Sequence, residues 1–371
     1  MVTAPLPPHD HAGRRERLRT SLGGRWLLIS HPVNVRYLSG FTGSAGACLI
    51  GPAAAHDRLL TDARYTERAA REAPDLDLEL TRSPQQAAVD LVRGVGTGQA
   101  EPVLGIEADH ATWAEARTAQ RVAEEAGLRL LGMTNAVAQL RVVKDDAELA
   151  RLERANELTA MGLDWLFTEQ VRPGVSERAL AIAVERRFVD LGADGVAFPS
   201  IVAGGPNAAS PHHTPGERPL KVGDLLTVDA GALVDGYHAD HTRTVGMGQL
   251  SPQARQIHQV VQRAQQAGRD AAVADAVAGD IDDAARRVIE EAGYGRWFVH
   301  GTGHGVGLEI HEAPSVAKGA TATLAVGTTL TVEPGVYVPG IGGVRIEDSH
   351  VIVPDGPARA FTDASRELVI L

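Results

Sequence analysis

Short apolar runs alternate with helix-like patterns over residues 13–139 of the chain. A short apolar run between turn-forming residues favours a strand, whereas apolar residues spaced three or four apart favour a helix. The alternation therefore predicts a compact α/β domain over residues 1–139, with the Pro- and His-rich residues 1–12 disordered. The predicted strands are Trp26–Ile29, Ala47–Ile50, Leu59–Thr61, Leu76–Leu80 and Val103–Ile106, and the predicted helices are Arg64–Glu72, Gln85–Val92 and Thr112–Ala126.

From residue 140 onward the pattern changes to two helices followed by a hairpin, and this order occurs twice. Asp145-Asp146 forms an acidic helix start, and Ser176 is a good N-cap for the second helix. Two copies of one ααββ unit, related by a pseudo-twofold axis, would bring both hairpins around one central site. The predicted helices are 145–169, 176–191, 252–274 and 280–292, and the predicted hairpins are 225–246 and 328–352.

Acidic residues occupy matching positions in the two hairpins. Asp229 and Asp240 are nearly symmetric about an Asp-Gly turn signal, and Glu333 and Glu347 about a Gly-rich stretch. Four carboxylates facing one interior would repel one another and raise each other's pKa values. Two divalent cations would balance their charge and leave room for a hydroxide. The hairpins therefore predict a dinuclear metal site.

Histidines supply the remaining candidate groups. The Gly-rich segment HGTGHGVGLEIHE carries His300, His304 and His311, of which one is needed as a fifth ligand. The other two are available to bind a substrate or to move protons. His212 lies in SPHHTPGERP, whose composition predicts a loop near the site.

Arg345 shares a strand face with Glu347, because the two residues are two positions apart. A buried arginine there would either orient the carboxylates or bind a carboxylate of the substrate. Carboxylate and imidazole ligands without a thiolate suit Mn, Fe, Co or Zn ions. The predicted reaction is hydrolysis at a polarised carbonyl. The chain has neither a phosphate-binding Gly-rich loop after a strand nor a GxSxG motif, so phosphoryl transfer and serine chemistry lack support.

Composition narrows the class of protein further. A length of 371 residues suits two domains, and 44% hydrophobic with 22% charged residues is typical of a soluble globular protein. The net charge of −11, without a basic block, argues against nucleic-acid binding. No apolar run reaches the roughly 18 residues of a membrane helix, and the N-terminus lacks the apolar region of a signal peptide. The single cysteine, Cys48, excludes an internal disulfide and predicts a cytoplasmic protein.

Several segments resemble the pita-bread metallopeptidases, most closely the Xaa-Pro peptidase branch that contains aminopeptidase P and prolidase. NVRYLSGFTGSAG and LLTDARYTERA are similar to the creatinase-type N-terminal domain of that branch. The resemblance implies an α/β creatinase-like domain at 1–139 and an α+β pita-bread catalytic domain at 140–371. The catalytic segments that carry it are FPSIVAGGPNAASPHH, VDAGALVDGYHADHTRT, HGTGHGVGLEIHE, VEPGVY and GVRIEDSHVI.

The resemblance also implies a role for each site residue. Two divalent ions are expected, with Mn²⁺ first and Co²⁺, Zn²⁺ or Fe²⁺ as alternatives. Asp229 would bind one ion, His304 and Glu333 the other, and Asp240 and Glu347 would bridge them. Glu333 would also accept the proton of the attacking water. The positions that match substrate contacts of the family are His212, His300, His311 and Arg345.

Relatives with other functions form the alternatives. Methionine aminopeptidases share the five ligands but normally lack the N-terminal domain. Creatinase has both domains without the metal ligands, and some relatives are non-enzymatic binding proteins that have lost the ligands. The complete set of five ligands in this chain favours an enzyme, with proline-containing peptides as its partners.

Substrate length is the finer question. A strict dipeptidase must capture the free carboxylate of proline, which requires a cation at the far end of its pocket. Family prolidases often have an arginine between the third His and the first Glu, whereas residues 312–332 of this chain offer only Lys318. The sequence therefore favours an aminopeptidase that removes the residue before a penultimate proline, with prolidase as the alternative. The resemblance further predicts a homodimer in which residues 1–139 help to shape the substrate entrance.

Overall fold

The computed structural model describes residues 5–95 and 102–371. These residues form two compact units, one at Pro8–Arg141 and the other at Val142–Leu371 together with residues 5–7. The strands of the N-terminal unit, in its described part, are β1 (Trp26–Ile29), β2 (Gly46–Ile50), β3 (Arg58–Thr61), β4 (Asp77–Leu80), β5 (Val103–Glu107) and β6 (Arg129–Met133). Its helices are α1 (His11–Leu22), α2 (Pro32–Ser39), α3 (Thr66–Glu72), α4 (Pro84–Val95), α5 (Trp113–Glu125) and α6 (Ala138–Val142).

One mixed sheet organises the N-terminal unit, with the strand order β4-β3-β2-β1-β5-β6. The central pairs β1–β2 and β2–β3 are antiparallel, and the three pairs toward the edges are parallel. Helices α4 and α5 pack their apolar residues against the sheet. The α/β prediction is confirmed, and all five predicted strands are present. Strand β6 and helices α1, α2 and α6 were not predicted.

The predicted disorder of residues 1–12 is wrong for the end of that segment. Helix α1 begins at His11, and the Asp10 side chain caps it by accepting a hydrogen bond from the Gly13 amide at 2.8 Å. The helix is anchored through Arg15, which donates to the Leu38 carbonyl at 2.8 Å and to Asp75 at 2.6 Å. These contacts hold the end of the segment in an ordered helix although its composition is polar. That composition was the only basis for predicting disorder. Residues 1–4 of the segment lie outside the described residues.

The C-terminal unit contains the predicted catalytic domain and is termed the catalytic unit; its topology is more complex. Its helices are α7 (Asp146–Trp165), α8 (Glu177–Asp190), α9 (Pro252–Ala271) and α10 (Ala278–Glu291). The first strands are β7 (Gly195–Val196), β8 (Ile201–Gly204), β9 (Leu225–Ala230), β10 (Ala232–Val234), β11 (Tyr237–His238) and β12 (His241–Gly246). The later strands are β13 (Gly303–Gly305), β14 (Glu312–Val316), β15 (Thr329–Val332), β16 (Gly335–Val338), β17 (Gly342–Arg345), β18 (Asp348–Val351) and β19 (Arg359–Ala360).

All four predicted helices of the catalytic unit are present, close to their predicted limits. Asp145, Ser176 and Ser251 cap three of them, each by accepting from a backbone amide in the first turn. Helix α7 is followed by a π-helical turn at Leu166–Gln170. Helices α7 and α8 share a core with β9 and β12, while α9 and α10 share one with β16 and β17. The repeated order of two helices and a hairpin is therefore confirmed.

Each predicted hairpin is one long antiparallel pair with an interruption in the middle. β9 pairs with β12 and, beyond Gly231, β10 pairs with β11 in the same register. β15 pairs with β18, and β16 pairs with β17, again without a change of register. Asp235 and Gly236 close the first hairpin with φ values of 45° and 77°, as a type I′ turn requires. The interruptions lie beside the acidic residues of both hairpins.

Candidate active site

The structure brings all nine predicted site residues of the catalytic unit to one cavity of about 360 Å³. The carboxylates come from the two interrupted hairpins, and His304 comes from β13. The apolar part of the cavity wall is formed by Phe198, Ile201 and Ile310. The nine residues are Asp229, Asp240, His304, Glu333 and Glu347, predicted as metal ligands, and His212, His300, His311 and Arg345, predicted as substrate contacts.

The hairpin interruptions explain how the four acids converge. Asp229 lies in β9, and Asp240 directly precedes β12, its antiparallel neighbour. Glu333 directly follows β15 and Glu347 directly precedes β18, so these two face each other across the second hairpin. Asp240, Glu333 and Glu347 thus lie just outside the paired segments and Asp229 within one, and all four line the cavity.

His304 faces the carboxylates through its Nε2 atom. This atom lies 3.3 Å from Glu333 Oε1 and 3.5 Å from Asp240 Oδ2. On the opposite side of the ring, Nδ1 lies 3.0 Å from the Gly305 carbonyl, to which it donates. Ligand atoms of Asp240, His304 and Glu347 lie within 4.8 Å of one another. Such a carbonyl contact fixes the ring with Nε2 free to bind a metal.

Two buried carboxylate oxygens show whether the residues of the site suit a bound cation. Asp229 Oδ1 and Glu347 Oε1 have no hydrogen-bond partner among the described residues. Asp229 is 8% exposed and Glu347 1%, so bulk water does not solvate these atoms. A buried, unsatisfied carboxylate oxygen is costly unless an ion coordinates it. The oxygen and imidazole donors present here fit divalent transition-metal ions.

The pKa shifts of the buried groups also indicate that the site suits a cation. Burial and the charge of Asp229 hold the pKa of Asp240 well above its usual range, and burial and the charge of Asp240 act likewise on the pKa of Glu347. Burial disfavours the charged forms of His304 and Glu333, but their hydrogen bond raises the pKa of His304 to about 9 and lowers the pKa of Glu333. Carboxyl groups with such raised pKa values favour either a proton or a bound cation.

Arg345 orients the carboxylates of the site through hydrogen bonds. Its Nη2 donates to Asp229 Oδ2 at 2.6 Å, and its Nε donates to the Thr242 hydroxyl at 3.1 Å. That hydroxyl in turn donates to Glu347 Oε2 at 2.5 Å. Of the two roles that the sequence left open for Arg345, these contacts favour the orientation of carboxylates.

Tyr337 joins Arg345 to His300. The tyrosine hydroxyl accepts from Arg345 Nη1 at 3.0 Å and lies 2.8 Å from His300 Nε2. Burial lowers the pKa of His300, and its Nδ1 donates to the Gly301 carbonyl at 2.7 Å. His300 Nε2 therefore accepts a hydrogen bond from the Tyr337 hydroxyl. Burial raises the pKa of Tyr337 to about 12, which keeps this hydroxyl protonated.

The other two histidines, unlike His300 and His304, are exposed and therefore mark the mouth of the cavity. The His311 ring packs edge-on against the His304 ring, with centroids 4.4 Å apart. Burial and the nearby His304 lower the pKa of His311. His212 is exposed and lies in the loop between β8 and β9. Both are placed to contact a molecule that enters the cavity.

The sequence pattern did not point to Tyr337, to Thr242 or to the apolar residues of the cavity wall. Thr242 lies two residues after Asp240, and strand alternation could have placed both on one face. Tyr337 lies four residues after Glu333 within a strand pattern, which gives the same signal. Neither signal says which side chains the hydroxyls would contact.

Comparisons with known proteins identify the family of this chain. The model of the metallopeptidase family M24 matches residues 150–354, and that of the creatinase/prolidase N-terminal domain matches residues 14–143. This chain belongs to metallopeptidase family M24. The catalytic unit accordingly has the pita-bread architecture of that family, preceded by the creatinase-type domain.

Similar proteins extend over nearly the whole chain. An uncharacterized peptidase of Bacillus subtilis is 38% identical over 361 residues, which are 96% of this chain and 99% of the relative. The structure of an Xaa-Pro dipeptidase from Bacillus anthracis superposes with a TM-score of 0.91 at 33% identity, covering 98% of this chain and 100% of the other. That of an X-Pro aminopeptidase from Thermotoga maritima gives 0.87 at 30% identity, covering 96% and 100%.

No helix within residues 5–95 and 102–371 is both long enough and apolar enough to span a membrane.

Proposed function

We propose that this M24 peptidase hydrolyses the peptide bond before a proline, releasing the N-terminal residue of its substrate with the help of two divalent metal ions. The observation that carries the proposal is the cluster of four carboxylates and one imidazole around a single cavity, where buried oxygens of Asp229 and Glu347 have no hydrogen-bond partner within the described part of the chain. The names of the similar proteins from B. anthracis and T. maritima support an Xaa-Pro substrate.

The five acidic and histidine ligands divide between the ions. Asp229 would hold one ion, His304 and Glu333 would hold the other, and Asp240 and Glu347 would serve both. Manganese is the first choice, with cobalt, zinc or iron as alternatives. Such ions, when bound, would polarise a peptide carbonyl and lower the pKa of a water molecule.

The remaining groups act on the substrate. Glu333 accepts the proton of the attacking water, since its carboxylate lines the cavity beside His304. His300 lines the cavity, and its hydrogen bonds to Tyr337 and to the Gly301 carbonyl hold its ring where it contacts the substrate. Proline supplies no N–H, so shape selects its ring, and Phe198 and Ile201 provide apolar surface for it.

The cavity favours substrates longer than a dipeptide. Arg345 is the one Arg or Lys among the described residues that line it, and its guanidinium is already bound to Asp229, Thr242 and Tyr337. Lys318 is exposed and does not line the cavity. A free prolyl carboxylate would therefore meet no unpaired Arg or Lys among these lining residues. Aminopeptidase activity is the main proposal on this ground.

Prolidase activity is the second candidate. The similarity to the B. anthracis dipeptidase, whose structure gives the higher TM-score of the two, favours it. His212 and His311 at the cavity mouth are two further groups that could meet a carboxylate.

Steady-state kinetics distinguish these two activities. We expect kcat/KM for Xaa-Pro-Xaa tripeptides to exceed that for Xaa-Pro dipeptides by about tenfold or more, equivalent to about 1.4 kcal/mol of discrimination. A tenfold preference for the dipeptide would identify a prolidase. Exhaustive chelation should abolish both activities, and Mn²⁺ should restore them. Unchanged hydrolysis in excess chelator by metal-free protein would refute the metallopeptidase proposal itself.

We also propose a homodimer located in the cytoplasm. The similarity of residues 14–143 to the creatinase/prolidase N-terminal domain supports the dimer, and the free, buried Cys48 is compatible with a reducing compartment. Sedimentation of the purified protein as a monomer, with full activity, would contradict the dimer.

A further inference from the structure

We infer that Glu177 is a positioning residue: its carboxylate clamps the loop that carries His212 and thereby holds that histidine at the mouth of the cavity. This inference rests on the proposed function. Glu177 was not singled out by its sequence pattern, and it does not line the cavity. Its effect on the reaction would pass entirely through the loop.

The clamp consists of four hydrogen bonds to one buried carboxylate. Glu177 is fully buried, and its Oε1 accepts from the Gly204 amide at 2.8 Å and from Asn207 Nδ2 at 2.9 Å. Its Oε2 accepts from His213 Nε2 at 2.8 Å and from the Gly216 amide at 3.2 Å. Every donor belongs to residues 204–216, so one side chain closes the whole loop on itself.

The loop presents its functional residues between the clamped points. Pro211 and His212 line the cavity, and both lie between Asn207 and His213. Backbone hydrogen bonds from Ser210 to Asn207 and from His213 to Ser210 make this interval a pair of tight turns. Since His213 is held directly by Glu177, the neighbouring His212 has little freedom to leave the cavity.

The clamp is fixed at its base by helix α8. Glu177 is the first residue of that helix, where a negative charge is favoured by the helix dipole. The Glu177 amide donates to the Arg218 carbonyl at 3.3 Å, and the Arg178 amide donates to the Gly216 carbonyl at 3.0 Å. Burial raises the pKa of Glu177, but the hydrogen bonds from Gly204, His213, Asn207 and Gly216 outweigh it and leave the pKa below its usual value. The carboxylate is thus ionised at neutral pH and accepts all four bonds.

Metal binding should not depend on this clamp. The predicted ligands come from β9, β13 and the two hairpin interruptions, and none of them contacts Glu177 through a hydrogen bond. Loss of the clamp should therefore separate substrate turnover from metal affinity. A general structural role for Glu177 would change both together.

Three variants and a matched control test the inference. Glu177→Gln replaces two acceptor sites with donors, and His213→Ala removes one arm of the clamp at a partly exposed residue. His213→Gln retains an amide donor for Glu177 and should rescue the loss. Glu217→Gln makes the same chemical change on an exposed glutamate directly after this loop, which pairs with Arg178 on the surface.

We expect kcat/KM on the preferred Xaa-Pro peptide to fall by about tenfold or more in Glu177→Gln and His213→Ala, and to stay within about threefold in His213→Gln and Glu217→Gln. Mn²⁺ affinity, measured by calorimetry on the metal-free proteins, should stay within about threefold in all four. Amide hydrogen exchange in residues 205–216 should accelerate in the first two variants alone.

The outcomes separate this inference from the proposed function. Wild-type turnover that is retained in both clamp variants would overturn the inference alone, as would unchanged exchange in the loop or a parallel loss of Mn²⁺ affinity. A wild-type protein that cleaves no Xaa-Pro peptide would overturn the proposed function, whatever the exchange rates show.

Discussion

At the scale of single residues, the buried carboxylates of the site repel one another, and a bound cation would relieve this repulsion. Asp240 is 6% exposed, and burial together with Asp229 raises its pKa. In chelator, Asp240→Asn should therefore leave the free energy of unfolding equal to or about 1 kcal/mol above that of the wild type. The same variant should lose the stabilisation that Mn²⁺ gives the wild type and lose turnover by about a hundredfold or more. Urea unfolding with chelator and with Mn²⁺ measures both effects.

Asp164→Asn is the control for that substitution, because Asp164 is exposed on α7, far along the chain from the site. It should leave the Mn²⁺-dependent stabilisation unchanged. An Asp240→Asn protein that is stabilised by Mn²⁺ as strongly as the wild type would show that Asp240 is not a ligand.

At the scale of elements, the close packing of the first hairpin sets the ligand positions. A Cβ added to Gly231 would lie 1.8 Å from the Ala239 carbonyl oxygen, where the backbone must move. Gly231 separates β9 from β10, and Ala239 directly precedes Asp240. Gly231→Ala should therefore weaken Mn²⁺ binding by about tenfold or more and destabilise the fold by about 2 kcal/mol. Calorimetric titration and urea unfolding check the two effects.

The matched control is Gly195→Ala in β7, which pairs with β10 of the same hairpin. Nothing lies within 4 Å of a Cβ at that position, so metal affinity and stability should be unaffected. Equal effects of the two substitutions would show that backbone freedom, and not the contact at Ala239, explains the result.

At the scale of the whole molecule, buried neutral histidines should make stability depend on pH. His258 on α9 is 1% exposed, and burial lowers its pKa to about 4. Between its unfolded pKa near 6.5 and this folded value, the unfolded chain binds the extra proton, so stability falls as the pH falls. His258→Asn should reduce the loss of unfolding free energy between pH 7 and pH 4 by about 2 to 3 kcal/mol. Urea unfolding across this range is the measurement, and an unchanged pH profile in the variant would contradict it.

Much of the local structure was determined by the sequence alone. Apolar spacing and caps such as Ser176 were sufficient to predict the four helices of the catalytic unit, because capping and amphipathic periodicity act within a few residues. The Asp-Gly turn and the placement of acids about it predicted that Asp229 and Asp240 lie on neighbouring strands. The repeat of this pattern placed Glu333 and Glu347 opposite them. The resemblance to a known family then implied their roles.

Tertiary structure alone decided which side chains meet. Arg345 and Asp229 are 116 residues apart, and Thr242 and Glu347 are 105 apart, yet both pairs are hydrogen-bonded. Which of three histidines faces the carboxylates, and how Glu177 closes the loop of His212, also depend on packing between distant segments. Periodicity along a chain specifies the face on which a residue lies, since it follows from backbone geometry. It does not specify the partner, because the partner is set by how separate elements pack around a common core.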